Sequence, residues 1–217
     1  MDEMMTRRFK TKVKARIGPA CGQVSGSYLN RTITYLPGYG FEYAPDTKHI
    51  TISAQMLSLE EAKPVPTPAV KDAGKISNGM DALSSSDSWL YSSVVGRLIY
   101  LSVDRFDIQF VVRLLATELK TPSVLSMLRL KRLARFLKKY PRMTWKFPWQ
   151  KMYKDAKGWS DADNAGCRDT RKNTSCGLEV LGDHLFNSYA VTQDVIGLLS
   201  GESEFYSLTT LVGHMLM

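Results

Sequence analysis

Cysteine and long apolar runs are both scarce in this chain. Its 217 residues include three cysteines, Cys21, Cys167 and Cys176, and no CxxC pair. An odd count without metal-ligand spacing argues against a disulfide framework and against a zinc site, so we expect free thiols in a reducing compartment. No apolar stretch approaches the ~18 residues of a membrane-spanning helix, and residues 1–10 lack the apolar block of a signal peptide. We therefore expect a protein of the cytoplasm or nucleus with no membrane partner.

Acidic residues are missing from one long stretch of the sequence. Between Lys120 and Lys151 there are ten Lys or Arg residues and no Asp or Glu, although the net charge of the whole chain is only +8. Residues 152–217, in contrast, carry nine acids and five bases. This asymmetry is typical of a protein that follows a phosphate backbone with one part and positions or cuts it with another.

The basic stretch contains a predicted amphipathic helix. Thr121 and Pro122 are typical of a helix start, and Tyr140–Pro141 of its end. An apolar stripe runs through Met127, Leu130, Ala134 and Leu137. The remaining faces carry the cations Arg129, Lys131, Arg132, Arg135, Lys138 and Lys139.

Three interpretations of this helix are open. It could be a core helix with a solvated face, a membrane-surface or calmodulin-type helix, or a nucleic-acid contact. We favour nucleic acid, because the run lacks compensating acids and is followed by Trp145, Phe147 and Trp149.

Two short acidic clusters near the C-terminus are candidates for metal binding. In a predicted strand, period-2 alternation places Trp159, Asp161 and Asp163 on one face. In a predicted helix, Glu204 shares an apolar stripe with Leu208, Leu211 and Val212 and is expected to pack against the sheet. A buried carboxylate needs a partner, and Mg²⁺ prefers oxygen ligands. The alternative is that these are ordinary surface acids.

The pattern as a whole predicts an α+β fold. Strands are expected at Tyr28–Tyr35 and Lys48–Ser53, a short helix at Met56–Ala62, and a mobile Pro, Ser and Gly-rich linker over 63–88. Helices are expected at about Asp87–Ser102 and Asp104–Leu119, each with a polar N-cap. Residues 157–191 predict three antiparallel strands with turns at 168–173 and at Gly182–Asp183, and a last helix begins at Ser200.

Several co-linear motifs resemble copia-type retrotransposon polyproteins. Gly158–Gly177 (GWSDADNAGCRDTRKNTSCG) and Thr192–Tyr206 (TQDVIGLLSGESEFY) resemble the start of that family's ribonuclease H domain. The likeness extends upstream through Tyr91–Leu101, Asp104–Phe110 and Lys63–Pro68, in the family's order. Motifs that agree in order are a stronger signal than any one of them.

The resemblance implies a division of the chain into four parts. Residues 1–62 would be a residual C-terminal region of a reverse transcriptase, and 63–88 a flexible linker. Residues 89–151 would be a helical basic connection subdomain. Residues 152–217 would be an incomplete ribonuclease H-like domain, a partial antiparallel sheet with one covering helix.

The resemblance also implies a chemistry. Asp161 and Glu204 would bind Mg²⁺ or Mn²⁺ for hydrolysis of RNA in RNA:DNA hybrids, with Asp163 as an accessory ligand. The polymerase's Tyr-x-Asp-Asp loop and the family's third and fourth acids have no counterpart in this sequence. We therefore expect the chain to be inactive in isolation and to depend on the remainder of the polyprotein. The alternative is a non-catalytic relic or a basic nucleic-acid-binding module.

Overall fold

The computed structural model describes residues 15–20, 22–70, 81–163 and 171–216. Within these ranges the chain forms helices and two antiparallel sheets, which confirms the α+β class. The elements in chain order are β1 (Ser25–Tyr28), β2 (Arg31–Leu36), β3 (Gly40–Ala44), α1 (Lys48–Met56), α2 (Ser85–Ser102), α3 (Phe106–Thr117), α4 (Val124–Lys139), β4 (Trp145–Pro148), β5 (Ala156–Ala162), β6 (Thr174–Leu181), β7 (His184–Thr192) and α5 (Ser200–Met215).

The main hydrophobic core lies among helices α1 to α4. Leu98 of α2, Ile108 of α3 and Leu130 of α4 are fully buried there. The predicted apolar stripe of α4 is confirmed, because Met127, Leu130, Ala134 and Leu137 are all buried. Burying a large aliphatic side chain stabilises a fold by ~1.5–3 kcal/mol, so this stripe fixes how α4 docks.

The ends of the helices differ from the predictions in ways that local hydrogen bonds explain. Helix α4 begins after Ser123, not at Thr121, because Ser123 and Ser126 form a reciprocal capping box. Helix α2 is capped by Ser84, which accepts from the backbone N–H of Asp87. Helix α3 begins at Phe106, and its N-cap residue Arg105 makes no capping hydrogen bond.

In the N-terminal region the structure differs from the prediction at three places. Lys48–Ser53 is the start of helix α1 rather than a strand, because Ile50, Ser53 and Ala54 are buried at helical spacing against α2 and α4. The helix predicted at Met56–Ala62 does not form, as α1 ends at Met56. The strand predicted at Tyr28–Tyr35 is two strands, β1 and β2, joined by a turn in which Leu29 and Asn30 have positive φ.

The first sheet combines distant parts of the chain. Its order is β1-β2-β3-β4, and β4 pairs with β3 in the register Tyr43↔Trp145 although more than a hundred residues separate them. Asp104, between α2 and α3, ties this sheet to the helices. Its carboxylate accepts from Arg31 Nε at 2.8 Å and from the Tyr43 hydroxyl at 2.6 Å, while its carbonyl accepts from Trp145 Nε1 at 3.0 Å.

The second sheet confirms the predicted hairpins near the C-terminus. Its order is β5-β6-β7, with Asp161 opposite Cys176, and α5 covers one face. The turn predicted at 168–173 lies partly outside the described residues. At the β7 edge, Gln109 of α3 donates to the Ser188 carbonyl at 3.2 Å and to its hydroxyl at 3.0 Å, which joins this sheet to the helical core.

Part of the predicted linker is packed against the helices. Val65 is 8% exposed and belongs to the main core, and Ser85 already begins α2. Residues 71–80, which belong to the same predicted linker, lie outside the described residues. The four-part division of the chain stays a prediction. Among the described residues, no helix combines the length and apolar character needed to cross a membrane.

Gly158 allows a close approach between β5 and α5. A Cβ at this position would lie 2.8 Å from the Leu211 side chain, below any normal contact distance. We expect Gly158→Val to lower the free energy of unfolding by about 1–3 kcal/mol, measured by urea denaturation. The matched control is Gly201→Ala, where a Cβ meets nothing within 4 Å. Equal effects of the two substitutions would contradict the close approach of β5 and α5.

Candidate metal centre and cationic helix face

Asp161 lies near the end of β5 on the face turned away from α5. Asp161 is exposed, and Trp159 is 56% exposed. Their neighbours in the strand, Ser160 and Ala162, are half-buried. The prediction that Trp159 and Asp161 share a face is therefore confirmed. The backbone of Asp161 is fixed from the other side, because its carbonyl accepts a hydrogen bond from the Ser207 hydroxyl of α5 at 2.8 Å.

Asp163 follows β5 directly and is partly withdrawn from solvent. Its Oδ1 accepts from the backbone N–H of Thr174. Its Oδ2 is buried without a hydrogen-bond partner among the described residues. Burial raises the pKa of the Asp163 carboxyl, and the nearby negative charge of Asp161 adds to this, while the Thr174 hydrogen bond opposes it. A cation would stabilise the charged form of such a carboxylate.

The predicted packing of Glu204 is wrong. The side of α5 that faces the sheet consists of Ser203, Ser207 and Leu211, and Glu204 is exposed. Of the predicted stripe only Leu211 faces the sheet, whereas Leu208 and Val212 are 49% and 47% exposed. The contacts that orient the helix are the approach of Leu211 to Gly158 and the hydrogen bond of the Ser207 hydroxyl to the Asp161 carbonyl, and both residues lie on a different side of α5 from Glu204.

Of the three predicted metal ligands, only Asp161 and Asp163 are shown to lie close together. Asp161 and Asp163 are close enough for their charges to interact, and α5 passes near them through Ser207, three residues after Glu204. No three His, Cys, Asp or Glu side chains within the described ranges are grouped to hold a metal ion. The metal and catalytic roles of Asp161, Asp163 and Glu204 stay predictions. Mg²⁺ held by these residues would need further oxygen ligands from water or another polypeptide.

Cys176 is a member of this site that the sequence did not reveal. It lies opposite Asp161 in the register of β5 and β6 and is a free thiol. Burial raises the pKa of the Cys176 thiol to about 11, and the charges of Asp161 and Asp163 act in the same direction. The strand register brings Cys176 beside the two carboxylates. The pKa of the Cys176 thiol is therefore sensitive to the charge of Asp161 and Asp163.

Most of the predicted cations of α4 form hydrogen bonds or ion pairs with other parts of the chain. Arg129 forms an ion pair with Glu118 at 2.6 Å. Arg132 donates to Thr67 Oγ1 at 2.7 Å and Arg135 to the Lys63 carbonyl at 2.6 Å. The contacts of Arg132 and Arg135 hold the chain that follows α1 against the helix. Arg129 therefore has an acidic partner from outside the run, while Arg132 and Arg135 keep their charge and donate to neutral acceptors.

Lys138 makes the most concentrated of these contacts. Its ammonium group donates to the carbonyls of Leu59 at 2.8 Å and Ala62 at 3.0 Å, and also to that of Glu60. Lys139 in the next position is exposed and lies over the Tyr140 ring at 5.4 Å. Lys131 is half-buried. Whether any of the six predicted cations contacts nucleic acid stays a prediction.

Comparison with known proteins gives one distant relative. The chain is 25% identical over 177 residues to the uncharacterized mitochondrial protein AtMg00810 of Arabidopsis thaliana, and the match covers 80% of this chain and 70% of that protein. No family model and no solved structure matches the chain. Together with the co-linear motifs, the match supports a retroelement-related origin. It does not extend to a particular activity.

Lys138 should contribute to stability far more than its neighbour. Lys138→Met removes a charged donor from three backbone carbonyls, so we expect the free energy of unfolding to fall by roughly 1–3 kcal/mol. Lys139→Met removes the same charge from an exposed position and should change it by less than about 0.5 kcal/mol. Chemical denaturation of both variants checks this. Similar losses in both would show that the carbonyl contacts contribute nothing specific.

The Cys176 thiol should react slowly with iodoacetamide at neutral pH. Its pKa of about 11 predicts an alkylation rate that still rises above pH 9, where an ordinary thiol levels off. Asp161→Asn should shift the profile to lower pH, because it removes a negative charge that opposes the thiolate. The measurement uses a Cys21→Ser, Cys167→Ser background. An unshifted profile would mean that Asp161 and Cys176 are not electrostatically coupled.

Proposed function

We propose that the chain is part of a retroelement reverse transcriptase–ribonuclease H polyprotein that acts on RNA:DNA hybrids. The observation that carries this is the position of Asp161 and Asp163 at one end of β5, beside α5 and followed by the β6–β7 hairpin. This is the order in which the resembling motifs occur. The distant plant relative spans most of the chain and supports a retroelement origin, without naming an activity.

The chain's own residues would divide the work at this site. Asp161 and Glu204 would be ligands, with Asp163 as an accessory whose buried Oδ2 lacks a partner among the described residues. A bound Mg²⁺ or Mn²⁺ would supply charge stabilisation for phosphodiester hydrolysis. Ser207 positions Asp161 by holding its carbonyl at 2.8 Å.

Completion of the site would come from a further polypeptide. Within the described ranges β5 pairs with β6 alone, so its other edge has free hydrogen-bonding groups. An exposed edge is a template for another strand. A strand of the polyprotein added there could bring the missing oxygen ligands beside Asp161.

A second candidate is a non-catalytic relic or nucleic-acid-binding module. The observation that favours it is the lack of any three-residue metal-binding group among the described residues. The extensive internal use of Arg129, Arg132, Arg135 and Lys138 counts against a free basic helix as its binding surface. We therefore rank it second.

A binding and cleavage assay separates the two candidates. We expect the purified chain to bind a labelled RNA:DNA hybrid and to show no Mg²⁺-dependent cleavage. Fused to the downstream ribonuclease H segment of a copia-type element, it should cleave, and Asp161→Asn or Glu204→Gln should abolish cleavage without changing hybrid affinity. Gel analysis of the products and fluorescence anisotropy provide the two readouts.

Each contrary outcome has a definite meaning. Cleavage by the chain alone that Asp161→Asn abolishes would show that the site is complete without a further polypeptide. A fusion that binds hybrid and never cleaves would favour the non-catalytic module. Failure of both proteins to bind hybrid would overturn the proposed function.

A further inference from the structure

Helix α2 has two apolar faces. Its buried face lies in the main core and includes Tyr91 and Leu98, which are fully buried. The opposite face is centred on Gly96, because Trp89 and Val103 precede and follow it by two helical turns and therefore lie almost in line with it. Trp89 and Val103 are 69% and 62% exposed. A helix that is apolar all round is normally buried on both sides.

The exposed face of α2 carries no charged side chain. Within α2, which the structure describes in full, helical spacing places the charged residues Asp87 and Arg97 on other sides of the helix. The face consists of Trp89, Ser92, Gly96, Ile99, Tyr100 and Val103, all of them exposed. Such a face has no complementarity to a phosphate backbone or a charged peptide. It matches the uncharged, aromatic-rich centre of a protein–protein interface.

Gly96 lies at the middle of this face, where nothing in the described chain requires a glycine. A Cβ added at Gly96 would meet no atom within 4 Å. A glycine inside an exposed helix destabilises it by about 0.5–1 kcal/mol relative to alanine. In return, a glycine lets a second backbone approach closely. This position therefore suits the crossing point of another helix.

The face is arranged symmetrically about Gly96. Trp89 and Val103 are equally far from it along the helix, and so are Ser92 and Tyr100. When two copies of α2 cross antiparallel at Gly96, Trp89 of each copy lies opposite Val103 of the other. By the same register, Tyr100 lies opposite Ser92. Large side chains thus meet smaller ones, and both copies use the same patch, as a two-fold axis requires.

We infer that α2 forms the interface of a symmetric dimer of this chain, in which the two α2 helices cross antiparallel at Gly96. The exposed parts of the face amount to roughly 500–700 Å² per copy, since a large aromatic side chain covers ~150–250 Å². Specific interfaces begin at about 1,000 Å² for the two partners together, so this face suffices for a weak dimer. The inference goes beyond the proposed function and uses neither the carboxylates nor nucleic acid.

Sedimentation velocity of the nuclease-treated chain, from low to high micromolar concentration, measures the association. We expect a monomer–dimer equilibrium with a Kd on the order of 10 µM, as suits an interface of this size. Each copy carries a net charge of +8, so the copies repel each other and high salt should strengthen the dimer. Copies bridged by residual nucleic acid would separate in high salt instead, and that result would contradict the dimer.

Gly96→Lys places two like charges at the two-fold axis. Because a side chain at Gly96 meets nothing within one copy, the variant should keep its midpoint of urea denaturation. It should weaken dimerisation at least about tenfold. Gly201→Lys is the matched control, since Gly201 also has open space and precedes Leu208 by two turns on the exposed apolar side of α5. The control should leave the dimer unchanged.

Chemical cross-linking tests the antiparallel register. In a Cys21→Ser, Cys167→Ser background, a short bismaleimide should join two copies of Gly96→Cys, because the two positions meet at the axis. Ser85→Cys lies on the same face of α2, near its start. It should not cross-link, since the two copies of this position would be about 33 Å apart in the antiparallel pair.

The contrary results are specific. A chain that stays monomeric at every concentration would overturn the dimer and leave the exposed face of α2 to a different polypeptide. Equal losses of affinity in the two lysine variants, or a loss only in Gly201→Lys, would exclude α2 as the interface. Efficient cross-linking of Ser85→Cys would exclude the antiparallel crossing at Gly96.

Discussion

The buried junction between α2 and α3 joins the first sheet to the helices. Asp104 and Arg105 are 7% and 1% exposed, so each needs charged or hydrogen-bonding partners to offset the loss of water. Asp104 finds them in the first sheet, in Arg31, Tyr43 and Trp145. Arg105 finds them in Asp107 and, at 2.9 Å, in the Tyr140 carbonyl just after α4. Two adjacent residues thus fix a sheet, two helices and the end of a third.

The same principle explains the cationic face of α4. Backbone carbonyls of the segment after α1 are acceptors that do not appear in any count of acidic residues. Lys138 and Arg135 donate to them, so part of a run that lacks acidic residues is hydrogen-bonded within the molecule. Hydrogen bonds to charged donors are the stronger class, and they explain why a segment without helix or strand stays packed. Charge density in a sequence therefore does not by itself indicate a nucleic-acid surface.

The spacing of apolar residues predicted helices and strands correctly where the structure of a segment depends on that segment alone. The stripe of α4 and the β5–β6–β7 hairpins depend on spacing and turn residues within short segments, and both are confirmed. The pairing of β3 with β4 and the helix at Lys48–Met56 depend on distant partners, which a local pattern does not contain. At the candidate site, alternation placed Trp159 and Asp161 on one face. It could not place Cys176 beside Asp161, because that contact is set by strand register. Glu204 was misplaced because the helix packs through Ser203, Ser207 and Leu211, and Leu211 alone of the predicted stripe faces the sheet.

A retroelement origin unites the co-linear motifs, the distant plant relative and the pair of carboxylates at the end of β5. The most direct test is long-read sequencing of the transcript and genomic locus that carry this reading frame. A retroelement origin predicts a Tyr-x-Asp-Asp polymerase sequence on the upstream side and a further Asp-bearing ribonuclease H strand on the downstream side, in frame or interrupted by stop codons. Flanking sequence on both sides without any trace of polymerase or ribonuclease H would contradict it.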